Sequence, residues 1–197
     1  MIDPSLLSTR ALYQLLISCV VPRPIALVTS VSASGIVNAA PFSFFNAVSA
    51  NPPILMISVD RRGGIRKDTS SNILHSKQFV VHMVDETIAE RMNITSASLP
   101  HDQSEVDAAG FTLIPSVKIQ TPRIAESPIH MECILQHHVE LGNSPVDILF
   151  GEVVAFHIQE DLLQDGKVNP VQLRGVGRMG SQLYCTTAGI FEMTRPK

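Results

Sequence analysis

Apolar residues recur along this chain in two rhythms. Between residues 5 and 16, Leu6, Leu7, Leu12, Leu15 and Leu16 gather on one side of a helical wheel, which predicts an amphipathic helix. Pro22-Arg23-Pro24 stops it, because proline removes a backbone donor and restricts the residue before it. From there the rhythm shortens. Ile25–Val31 is a β-rich run, Ser32-Ala33-Ser34-Gly35 reads as a hairpin turn before Ile36-Val37, and Ile54–Val59 is a further strand. A short helix is predicted near 69–76 with Asp68 as its N-cap, then a strand over Phe79–Val84 and a second short helix over Thr87–Asn93. Residues 95–110 are polar and turn-rich, with Ser104 and Asp107 spaced to cap one more helical turn. Strands are expected near 111–114 and 117–120, and long ones over Met131–Glu140 and Ile148–Gln159. Residues 160–183 read as a long loop carrying Gly166, Gly175, Gly177 and Gly180.

Several strands, a few short helices and no regular strand–helix alternation predict a mainly β fold, an antiparallel barrel rather than a doubly wound sheet. With 197 residues and no linker, repeat or low-complexity tract, a single domain over 1–197 is expected. The chain is 45% hydrophobic and only 17% charged, with a mean hydropathy of +0.19. So few charges imply that part of the surface is covered by another subunit. A net charge of −3 without a basic run argues against nucleic acid as a partner.

No segment approaches the ~20 apolar residues of a membrane span. Ala11–Val21 comes nearest to a signal-peptide core, but Tyr13 and Gln14 interrupt it and it runs into a strand, so it reads as mature protein. Cys19, Cys133 and Cys185 are odd in number and widely spaced. They point to reduced, mostly buried thiols and a cytoplasmic location.

Two stretches carry candidate chemistry. In the first, Asn38, Ala39, Ala40 and Ser43 are small and leave the backbone open to a flat ligand, with Pro41, Phe42 and Phe44 beside them. Aromatic faces next to free amides and a hydroxyl suit a ring system that is apolar on its faces and polar at its edges. A buried strand with an aromatic cluster and a proline turn accounts for the same residues. The second stretch is Arg66-Lys67-Asp68-Thr69-Ser70-Ser71-Asn72. A helix beginning near Thr69 would offer free N–H groups and a positive dipole end to an anion, with Lys67 and Arg66 adding charge and Asn72 on the same face as Thr69. An ordinary helix start capped by Asp68 is the plainer alternative.

Other patterns carry less. Gly175-Val176-Gly177-Arg178-Met179-Gly180 matches G-x-G-x-x-G in letters, but no apolar helical face follows it and no acidic residue lies ~20 positions on. A glycine loop that sets Arg178 and Tyr184 beside a ligand or a subunit partner fits better. His130 and His138 alternate onto one strand face and Cys133 and His137 onto the other, so they do not converge on a metal. No catalytic constellation stands out by spacing, and Glu132 is either paired inside or faces solvent.

Pro22-Arg23-Pro24-Ile25-Ala26-Leu27-Val28-Thr29-Ser30, Asn38 to Asn46, Asn51-Pro52-Pro53 and Lys67-Asp68-Thr69-x-x-Asn72-Ile73 occur in one order, followed by Glu132-Cys133 and Gly177-Arg178-x-Gly180. In that order and spacing, over about residues 12–195, the chain resembles the flavin reductase-like, FMN-binding split-barrel family, including its flavoredoxin-type members. The resemblance implies an antiparallel Greek-key split barrel that forms a homodimer, with FMN near the subunit interface. It places Asn38, Ala39, Ala40, Pro41, Phe42, Ser43 and Phe44 along the flavin ring and ribityl chain. Lys67, Asp68, Thr69 and Asn72 fall at the phosphate, with Thr29, Ser30, Ser58 and Arg61 as neighbours and Arg178, Tyr184 and His130 as weaker matches. The implied activity is an NADH- or NADPH-dependent flavin reductase, which needs no protein acid or base. Other readings are an FMN electron carrier docking a redox protein, and a split barrel holding another ligand such as haem. The chain has no tryptophan, so any tryptophan contact to flavin in other family members is replaced here or absent.

Overall fold

The computed structural model describes residues 1–196. Helix α1 (Thr9–Cys19) is capped by Ser8, whose Oγ accepts the Ala11 amide at 3.2 Å. Strands β1 (Arg23–Pro24), β2 (Ala26–Val31), β3 (Val37–Phe42), β4 (Phe45–Ala50) and β5 (Pro53–Val59) follow. Then come α2 (Asp68–Ser76), β6 (Gln78–Met83), α3 (Ala89–Ile94) and α4 (Glu105–Ala108). After β7 (Leu113–Ile114) and β8 (Arg123–Ile124) the chain makes one long hairpin, β9 (Ile129–Leu141) and β10 (Val146–Ile158). It finishes with β11 (Leu163–Gln164), β12 (Lys167–Val168), α5 (Pro170–Leu173), β13 (Val176–Arg178) and β14 (Tyr184–Thr186).

A seven-stranded antiparallel sheet runs in the order β3-β2-β6-β9-β10-β5-β4. Its outermost strands, β3 and β4, are consecutive in the chain and joined by Ser43 and Phe44 alone. A sheet whose two ends lie that close along the chain must curl round on itself. The Ser58 amide, donating to the Phe44 carbonyl at 2.8 Å, fastens β5 to that seam. The result is mainly β with a few short helices, an antiparallel barrel as the pattern predicts and a split barrel as the resemblance implies. Inside it pack Val28, Phe45, Ile57, Phe79, Cys133 and Leu149, with Ile73 of α2 closing one end. β2 is buried on both faces, because Leu27, with Ile25 just before the strand, meets a second cluster with Ile88, Met92, Phe111 and Ile124. Burial on both faces is why this run reads as continuously apolar rather than alternating.

Several expectations give way. Residues 117–120 form no strand; the Val117 and Lys118 amides donate instead to the buried Glu132 carboxylate at 2.8 and 2.7 Å. That also settles Glu132, which is interior and receives His157 Nε2 at 2.6 Å. The strand near 111–114 shrinks to β7, paired with β8. The expected loop over 160–183 holds β11, β12, α5 and β13. The N-cap of α2 is Lys67, and Asp68 is the first helical residue, its carboxylate paired with His101. In α1 only Ile17 is buried; of the predicted apolar face Leu7, Leu12 and Leu15 are half-buried, while Leu6 and Leu16 are exposed within this chain. Cys133 is buried, but Cys19 is exposed, so the thiols are not mostly interior. Among the described residues no helix is long and apolar enough to cross a membrane.

Candidate functional site

A cavity of about 600 Å³ opens between the end of β3, the start of α2 and the loop over residues 95–101. That volume suits a small organic ligand. Pro41, Phe42, Ile65 and Leu99 give it apolar walls, while Arg62, Arg66 and Lys67 bring positive charge to the helix start. Lysine has no acceptor to offer as an N-cap, and α2 has no side-chain cap hydrogen bond. The first amides of a nine-residue helix therefore remain uncapped beside a ring of cations.

Behind this wall lies a buried polar chain. Thr69 Oγ1 donates to Asn38 Oδ1 at 2.9 Å, and Asn72 Nδ2 donates to Ser30 Oγ at 3.2 Å. Asn38 Nδ2 and the Ala39 amide donate to Glu105 Oε2 at 2.9 and 3.3 Å. Burial raises the Glu105 pKa against these hydrogen bonds. Beside it, Arg61 and Arg66 both bond the fully buried Asp147 carboxylate, at 2.7 and 3.2 Å, and His138 Nε2 joins them at 2.8 Å. This fixes Arg66 on the cavity wall. His138, Glu140 and Asp147 bring ligand atoms within 4.8 Å of one another. The guanidinium groups of Arg61 and Arg66 already bridge both carboxylates there, so the cluster is an ion-pair network in which a metal cation would meet two fixed positive charges.

Of the residues singled out in the sequence, Asn38, Ala40, Pro41, Phe42, Lys67, Asp68 and Thr69 line the cavity. Ser30, Ala39 and Asn72 stand behind them, buried. Thr29 is fully buried and donates to the Pro122 carbonyl at 2.7 Å. Ser58 serves the barrel seam through its amide, and Arg61 is held by Asp147 and Glu140. Ser43 and Phe44 turn to the other side of their loop, toward Arg23, where Arg178 and Tyr184 also lie. His130 is buried among His82, Arg123 and the Ser127 carbonyl, away from the cavity lining. Sequence reasoning missed Arg62, Ile65, residues 95–99, His101 and Glu105. The turn-rich composition of 95–110 marks a loop, but nothing in it says which way the loop folds. The segment Gly175–Gly180 includes β13 rather than a strand-to-helix turn, which disposes of the dinucleotide pattern.

A curled antiparallel sheet with a cavity at a cationic helix start defines a split barrel. The flavin reductase-like domain model matches residues 17–172, and the chain belongs to that family. An uncharacterized protein of Halalkalibacterium halodurans is 42% identical to it over 99% of this chain and 96% of its own. Nitrilotriacetate monooxygenase component B from Bacillus cereus superposes with a TM-score of 0.96 at 40% identity, covering 98% of both chains. The 2-nitrobenzoate 2-nitroreductase of Pseudomonas fluorescens gives 0.92 at 40% identity, covering 100% of this chain and 96% of its own.

Proposed function

We propose that this protein is an FMN-dependent oxidoreductase, an NADH- or NADPH-dependent flavin reductase. The observation that carries the reading is the cavity, apolar at Pro41, Phe42, Ile65 and Leu99 and cationic where α2 begins uncapped. FMN has the same polarity, a flat ring system at one end and a phosphate at the other, so the residues fit the group. Asn38 to Phe42 would lie along the ring and ribityl chain. Lys67, the first amides of α2 and Arg66 would hold the phosphate. Thr69 and Asn72 act from behind, since their polar groups hold Asn38 and Ser30 in place. Bound flavin supplies hydride and electron transfer, which is why the cavity requires no catalytic acid or base.

We also infer a homodimer in the cytoplasm. Tyr13, Leu16, Phe44 and Val48 leave an exposed apolar surface on α1 and the barrel edge, which a second copy would cover. Light scattering should then give about twice the 21.5 kDa chain mass. The function is tested by the visible spectrum of purified protein supplied with FMN, followed by anaerobic mixing with NADH and NADPH. A bound flavin band near ~450 nm that bleaches within seconds, with turnover on free flavin, supports the reductase. Flavin that stays oxidised with both nucleotides yet accepts electrons from a protein donor would replace it with an electron carrier.

A further inference from the structure

Glu105 opens α4 and stands on the wall of the cavity, where it is only 7% exposed. A buried carboxylate ordinarily holds a cationic partner, because water no longer carries its charge. Among the described residues, none of the ion pairs includes Glu105. Its donors are the neutral Asn38 Nδ2 and the Ala39 amide, and both bonds end on Oε2. Oε1 can therefore take a proton without disturbing either bond, which adds an O–H donor to the cavity wall. Burial favours that neutral form.

The groups that share the cavity with Glu105 carry opposed charges. Lys67 and Asp68 stand at the start of α2, Arg62 and Arg66 come from the loop after β5, and His101 from the loop before α4. Arg66 is taken by Asp147 and Glu140, and Asp68 by His101. Among the described ion pairs, Lys67 and Arg62 have no carboxylate. Strand β3, packed against α4, brings the uncharged Asn38 and Ala39 to the contact. Asp107, on α4 itself, is exposed and lines a different cavity.

One side chain links Glu105 to the helix start. Asn38 accepts the Thr69 hydroxyl on Oδ1 and gives its amide N–H to Glu105, both at 2.9 Å. The carboxylate thus lies two hydrogen bonds from the first turn of α2. A dianion held there meets two cations that lack a carboxylate and one buried carboxylate that lacks a cation. Like charge at close range favours the protonated form of a carboxyl, and protonation removes the repulsion.

We propose that Glu105 takes up a proton when an anionic ligand binds at the start of α2, so that the cavity receives anion and proton together. This deepens the flavin reading and rests on it, with the FMN phosphate as the anion. The proton comes from solvent, and no bond of the ligand breaks. The neutral carboxyl still holds Asn38 and Ala39 through Oε2, but no longer opposes the phosphate.

FMN and riboflavin titrations from about pH 6 to about pH 8, with wild type, Glu105→Gln and His101→Gln, test this. Glutamine stands for the neutral carboxyl and keeps an acceptor for Asn38. Binding that favours the protonated form is tightest at low pH and weakens as pH rises. Across this range the wild type should lose about threefold or more FMN affinity beyond any loss in Glu105→Gln. At the upper end Glu105→Gln should bind FMN more tightly than the wild type. Any proton on the phosphate or on His101 is common to both proteins and cancels, and His101→Gln should still lose affinity more steeply than Glu105→Gln. Riboflavin, without a phosphate, should show no such difference. Calorimetry of the wild type in two buffers of unlike ionisation heat reads the same event without a variant, as a proton taken up with FMN and none with riboflavin. Equal pH dependence in wild type and Glu105→Gln, weaker FMN binding by Glu105→Gln at the upper pH, or the same difference with riboflavin would each overturn the proposal. FMN bound with no proton taken up removes this proposal alone, whereas no FMN binding at all removes the flavin reading with it.

Discussion

The Thr69 hydroxyl donates to Asn38 Oδ1 at 2.9 Å and so ties the first turn of α2 to strand β3. Through its amide nitrogen Asn38 also reaches Glu105 at 2.9 Å, so one side chain joins a helix start, a strand and α4 behind the cavity. Thr69 is 1% exposed, and Thr69→Ala removes the shorter of the two hydrogen bonds that Asn38 Oδ1 accepts, the other coming from Ser30 Oγ at 3.4 Å. Urea denaturation should show a loss of about 1–3 kcal/mol, mostly recovered in Thr69→Ser. Under the flavin reading, Lys67→Ala should weaken FMN by roughly 1.5–3 kcal/mol, the worth of one charge-assisted bond. Riboflavin, without a phosphate, should bind the wild type and this variant about equally. Wild-type FMN affinity in Lys67→Ala would place the phosphate elsewhere.

Asp147 is fully buried, and burial by itself would raise its pKa. Arg61, His138 and Arg66 outweigh that and hold the carboxyl well below its usual range. The stability it contributes is therefore present above the unfolded carboxylate pKa of about 3.9 and is lost as pH falls below it. Asp147→Ala leaves Arg61 and Arg66 with Glu140 as their only carboxylate and should cost up to roughly 3–5 kcal/mol by denaturant titration. It also loosens Arg66 on the cavity wall, so under the flavin reading FMN titration should show weaker binding in whatever fraction remains folded.

His82 and His130 make the protein sensitive to mild acid. His82 is fully buried, donating from Nδ1 to the Leu27 carbonyl and accepting the Ile124 amide at Nε2, both at 2.9 Å, so it is neutral. Burial pushes its pKa down to about 3 and that of His130 to about 4. An unfolded histidine takes its proton near pH ~6.5, so between that pH and about 4 the unfolded chain binds more protons than the folded one. Stability is intact above ~6.5 and should fall on acidification, by up to about 1.4 kcal/mol per pH unit for each ring. Denaturation midpoints at pH 7 and pH 5 measure the slope, and His82→Gln should flatten it. A slope unchanged by that substitution would take His82 out of the account.

Gly151 lies on β10 at an irregularity in its pairing with β9. A Cβ there would come within 2.3 Å of Phe79 Cζ, and Phe79 is fully buried in the barrel core. Gly151→Ala should cost about 1–3 kcal/mol or more through overpacking, read as a lower thermal midpoint. The double change Gly151→Ala with Phe79→Leu should recover part of that loss, because the clash is with the ring itself.

Local pattern and motif order by themselves determined a good deal: the antiparallel split barrel, the long β9–β10 hairpin, the helix after Lys67, and membership of the flavin reductase-like family. The antiparallel strands, the hairpin and the helix depend on short-range rules, since alternation, turn residues and caps act within a few positions of one another, whereas the split barrel and the family followed from the resemblance that the order of motifs carries. Only the tertiary structure decided that β3 and β4 close the barrel at Ser43-Phe44, that Glu132 holds down residues 117–118, and that residues 95–101 wall a cavity opposite Lys67. It also decided that Arg23, which as sequence is the middle of a proline helix stop, stands across from Arg178, 155 positions further on (178 minus 23). Pairings at such separation leave no periodic trace in the chain. They are fixed by which strands can bury both faces at once, a condition that exists only after the sheet has curled.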